Sequence, residues 1–152
     1  LEPNFTDQVY TGPLPFSLEA EQSVLGAILV DPSCISTALE YLKPESFFKE
    51  QHQQIFSVLM RMFVSAQNID FITALEQVKQ ENIFQDEAAA KLYLTQLVQV
   101  VPSASNLVSY AKIVQEKYYL RSLIASSQNT INLAREGQGD AQSLLDRAEQ
   151  EI

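Results

Sequence analysis

The chain has 152 residues, 46% of them hydrophobic, enough for one well-buried core or for a core with an appendage. Its net charge of −9 is uneven, with 2 basic against 8 acidic side chains up to residue 50 and 5 against 6 beyond residue 100. Phosphate contacts need clustered Lys and Arg, so an acidic chain without a basic stripe is a poor stand-alone nucleic-acid binder, whereas a basic protein partner suits it.

Residues 1–16 hold Pro3, Gly12, Pro13 and Pro15 without periodicity and read as a loose arm. The first helix follows. Ser17 stands at its N-cap, Glu19 and Glu21 sit in the first turn where negative charge suits the helix dipole, and Asp31-Pro32 closes it. Leu18, Val24, Leu25, Ile28 and Leu29 share an arc, while Gly26 and Ala27 keep another face thin enough for a second helix to approach closely. A second helix spans roughly 32–42, with Ile35, Ala38, Leu39 and Leu42 inward, and Lys43-Pro44 stops it. Phe47 and Phe48 are expected to plug the core from the loop that follows.

The third helix is expected over about 50–67, with Ile55, Phe56, Leu59, Phe63 and Ala66 as its inner stripe. Asp70 caps a fourth that buries Phe71, Leu75 and Val78, and Asp86 caps a fifth with Tyr93, Leu97, Val100 and Val101 on one face. The sixth segment, about 105–136, contains neither proline nor glycine and predicts a helix of about 45 Å at roughly 1.5 Å per residue. It carries two apolar stripes, Leu107, Ala111, Val114 and Tyr118 on one face, and Ile113, Leu120, Ile124 and Ile131 on another. A helix apolar on two faces is packed on both, and the end near Ile124 and Ile131 has little of its own head to pack on. Those four residues are therefore the candidate protein interface. A turn at Gly137–Asp140, with Asp140 as the cap, returns the chain into a last helix with Leu144, Leu145, Ala148 and Ile152 on one face, which makes an antiparallel helical hairpin. The expected fold is all-α, with an arm over 1–16, a compact head of about five helices over 17–104, and the hairpin over 105–152.

The residues that carry chemistry are few. The glycines are Gly12, Gly26, Gly137 and Gly139, and none precedes lysine, so there is no phosphate-binding P-loop. His52 is the only histidine and Cys34 the only cysteine, which excludes an internal disulfide and a multi-histidine metal site. Both are read as structural, Cys34 as a small buried hydrophobe on the second helix. Tyr118 and Tyr119, near Lys112, Lys117 and Arg121, are the one place where rings and cations lie together as single-stranded nucleic acid would require. The competing reading places Tyr118 in the core stripe and the cations on the outer face, and it is preferred. No apolar run approaches the length of a membrane span and no signal-peptide pattern opens the chain, so a soluble cytoplasmic protein in a reducing compartment is expected. The chain starts without Met and stops inside a helical pattern, and it reads as a piece of something longer.

Three segments carry a resemblance. SLEAEQSVLGAIL with its DP turn, NIDFITALEQ from Asn68 to Gln77, and VPSASNLVSYAKIVQEKYYLRSLI from Val101 to Ile124 resemble, in order and spacing, the N-terminal domain of bacterial replicative DNA helicases of the DnaB family, over roughly residues 13–152. The resemblance implies a longer protein in which a linker helix and a RecA-like motor using ATP and Mg follow this domain. It implies that the domains pair through their hairpins into a three-fold collar on a hexameric ring. It also implies docking of primase and a helicase loader there, with little direct nucleic-acid contact and no membrane. The present chain would then have no cofactor and no catalysis of its own. The alternative is a free helical adaptor such as a primase C-terminal helicase-binding domain.

Overall fold

Short polar side chains set where the helices begin. In the computed structural model, which describes residues 12–101, 103–137 and 139–151, Ser17 Oγ accepts the Ala20 amide at 3.2 Å and starts α1 (Leu18–Val30). Asp31 then caps a 3-10 turn over Pro32–Cys34 that leads into α2 (Ile35–Tyr41). A second 3-10 turn, Pro44–Ser46, precedes α3 (Glu50–Val64). Asp70 and Thr73 satisfy each other's backbone amides at the start of α4 (Phe71–Gln80), and Asp86 accepts the Ala89 amide at 2.7 Å to start α5 (Glu87–Val100). After a last 3-10 turn at Ala104–Asn106 come α6 (Leu107–Glu136) and α7 (Ala141–Glu151). Among the described residues there is no strand, and the all-α expectation holds.

Residues 16–116 make one compact unit. Its centre is α1, which packs against α3, α4 and α5 with Val24, Leu25, Ala27 and Ile28 wholly buried. Each such aliphatic side chain contributes roughly 1.5–3 kcal/mol when taken out of water. The thin face read from Gly26 and Ala27 is where α5 lies: a Cβ on Gly26 would strike the Leu97 carbonyl oxygen and the Val101 side chain. Leu107, Ala111 and Val114 anchor the first turns of α6 in the same core, and Gln115 Nε2 donates to the Tyr41 carbonyl at 3.1 Å.

Several expectations give way. α3 ends at Val64, three residues early, because Ala66 turns to φ 58° and the Gln67 amide folds back onto the Met62 carbonyl. The inner position in its last turn is taken by Met62, and Phe63 is exposed. Phe47 is fully buried as expected, but Phe48 points outward and stacks on Phe16, with ring centroids 4.3 Å apart. On α5 the buried residue in the middle turns is Leu94, while Val100 is exposed. Cys34 sits half-buried in the 3-10 turn and not in the core, and partial burial pushes its thiol pKa up to about 11. Much of the expected arm, residues 1–11, lies outside the described residues.

The second compact unit comprises the chain from Lys117 onward together with the lead-in ending at Pro15. Within it, Arg121 Nη1 donates to the Pro15 carbonyl at 2.9 Å and its guanidinium stands 6.0 Å from the Tyr118 ring centre.

Candidate functional site

The two stripes of α6 differ in exposure in their first turns and converge further along, where Tyr118, Ile124 and Ile131 are all half-buried. Leu107, Ala111 and Val114 are buried in the core of the first unit, and Tyr118, in the second, is half-buried. On the second stripe Ile113 and Leu120 are 42% and 41% exposed, whereas Ile124 and Ile131 are half-buried. Leu123, 45% exposed, and Tyr119 extend the apolar surface beside that row. The sequence reading missed Leu123, although its i+3 spacing from Leu120 was the available signal.

The hairpin closes through local polar contacts. Gly137 and Gly139 adopt φ 67° and 87°, a left-handed backbone that residues with a Cβ resist, and they let α6 stop and reverse. Asp140 Oδ1 accepts the Ser143 amide at 2.7 Å, the cap the sequence assigned to it. Eleven residues back along α6 from the turn, Ser126 Oγ donates to Glu151 Oε2 at 3.2 Å, which sets the antiparallel register. Beside α7 lies an apolar hollow of about 410 Å³, walled by Thr130 and Ala134 of α6 and by Ala141, Leu144, Leu145 and Ala148 of α7. A second hollow of about 470 Å³, also bordered by α7, is lined by polar groups, Ser143, Asp146, Arg147 and Gln150 among them. Ile152, assigned to the face of α7, lies outside the described residues.

A buried Glu21–His52 pair, extended by the half-buried Tyr93, is the ionisable cluster of the core. Glu21, His52 and Tyr93 come together from α1, α3 and α5. Glu21 Oε2 accepts the Phe48 amide at 2.7 Å and Oε1 accepts the Lys49 amide at 3.3 Å, so the carboxylate caps the start of α3 from another helix. The same Oε1 lies 2.8 Å from His52 Nδ1, and His52 Nε2 lies 2.6 Å from the Tyr93 hydroxyl. A carboxylate only accepts, so Nδ1 carries a proton, which leaves Nε2 of a singly protonated ring to accept from Tyr93. Gln22 Nε2 then donates to the Tyr93 oxygen at 3.4 Å, and Lys49 Nζ stands 5.0 Å from the ring centre. Every hydrogen-bonding atom is matched, and His52 has no solvent access. The cluster ties three helices together and offers no substrate a path to its imidazole. Glu21 therefore has a larger role than the helix-dipole one its position suggested. Among the described residues no three His, Cys, Asp or Glu side chains gather as a metal site would require. No helix there is long and apolar enough to cross a membrane.

Three comparisons bear on this arrangement. Residues 13–116 match the family model of the DnaB-like helicase N terminal domain. The chain is 37% identical over 138 residues to the replicative DNA helicase DnaB of Rhodothermus marinus, a match that takes in 91% of this chain but 14% of that helicase. In structure it is similar to the N-terminal domain of DnaB helicase from Mycobacterium tuberculosis, with a TM-score of 0.83 and 31% identity over 92% of this chain and 98% of that one. It is also similar, at a TM-score of 0.70 and 27% identity, to part of a DnaB-like replicative helicase described with its interactions with primase; the match covers 87% of this chain and 31% of that one.

Proposed function

Because the chain belongs to the family of DnaB-like helicase N-terminal domains, we propose that it is the oligomerisation and primase-docking domain of a replicative DNA helicase and performs no catalysis itself. The observation that carries this reading is the apolar row on α6. Ile113, Leu120 and Leu123 keep 42%, 41% and 45% of their surface exposed, which leaves unrealised part of the roughly 1.5–3 kcal/mol that full burial of each would contribute. An exposed row of that size along a hairpin fits a surface covered in an assembly. A second copy of the chain covers it through the hairpin, the pairs build a three-fold collar on a hexameric ring, and the collar offers the surface on which primase, and a loader, dock. The primase part is supported by the similarity to a DnaB-like replicative helicase that interacts with primase. ATP, Mg and strand movement belong to a motor domain elsewhere in the longer protein, since the glycines of this chain build no phosphate loop.

Sedimentation of the wild type and of an Ile113→Asp, Leu120→Asp double variant at matched concentrations tests the assembly. The expected result is a concentration-dependent oligomer that the variant loses while its helical circular dichroism is kept. Equal sedimentation of the two would show that the row is not the interface. A titration with purified primase tests the docking, and absence of binding by the assembled domain counts against it.

A further inference from the structure

We draw no further inference here: the strongest candidate, the apolar surface patch at the turn from α3 into α4 where Val64 is 76% and Ile72 73% exposed and Phe63 is exposed as well, carries nothing, because nothing in the structure shows what covers it.

Discussion

His52 Nδ1 lies 2.8 Å from Glu21 Oε1, and neither side chain reaches solvent. The contact joins α1 to α3, and Tyr93 extends it to α5. Removing one member leaves the others buried without a partner, which costs far more than the pair contributes net. Glu21→Ala strands the imidazole and two backbone amides together and should lower stability by about 3–5 kcal/mol. Tyr93→Phe strands only one ring nitrogen and should cost about 1–3 kcal/mol. Urea unfolding followed by circular dichroism measures both, and a loss under 1 kcal/mol for Glu21→Ala would mean that water or a rearranged loop replaces the carboxylate.

The approach of α5 to α1 gives a second expectation. Alanine is the better helix former than glycine by roughly 1 kcal/mol, so propensity alone predicts that Gly26→Ala stabilises α1. A methyl group there would collide with the Leu97 backbone carbonyl, which cannot swing aside as a flexible side chain can. Sterics should win, with a net destabilisation of about 1–3 kcal/mol. A melting temperature equal to or above the wild type would show that the two helices separate at little cost.

What the sequence made legible divides along the distance between interacting residues. The caps at Ser17, Asp70, Asp86 and Asp140 were readable because each side chain bonds an amide three residues away. The two faces of α6 were readable because one periodicity carries both. Glu21 was not, since its partners Phe48, Lys49 and His52 lie 27 to 31 residues on, and a carboxylate in a first turn already has a sufficient local explanation. Phe48 and Phe63 have the composition of core residues. Phe63 is excluded by a left-handed residue, Ala66, that no glycine announces, and Phe48 finds Phe16 outside the core. The hollow beside Leu145 is a product of how α6 and α7 pair, which no single segment encodes.

Asp70 supplies a pH dependence of known sign. The Thr73 amide donates to its carboxylate at 2.8 Å, and this bond, with the help of the Thr73 hydroxyl, the Ile72 amide and Asn68, holds the folded-state pKa below its ordinary 3.8. A lowered folded-state value means a contribution that is fully present above the unfolded value and lost as pH falls through the folded one. Asp70→Asn keeps an N-cap acceptor but not the charge. The wild type should therefore melt higher than Asp70→Asn at pH 7, and the gap should close as pH falls below about 4. A gap that persists unchanged to about pH 2 would assign the difference to shape and not to ionisation.

Nucleic-acid binding by the domain should be weak, and the residues that might have supplied it explain why. Stacking on single strands needs exposed rings flanked by cations free to meet phosphates. Tyr119 is exposed, but Tyr118 is half-buried and Arg121 is drawn to the Tyr118 ring and the Pro15 carbonyl. That leaves Lys112 and Lys117 against the field of a chain carrying −9 overall. Two lysines neutralise at most two phosphates, and for a single strand the slope of log affinity against log salt would then be only about −1.4. Fluorescence anisotropy with a labelled oligonucleotide should accordingly show no submicromolar binding at about 0.15 M salt. Replacing Lys112 and Lys117 with Glu should change little of what remains. Tight binding with a steep salt slope, abolished by those two substitutions and by Tyr119→Ala, would show that α6 reads nucleic acid after all and that the hairpin serves the strand as well as the assembly.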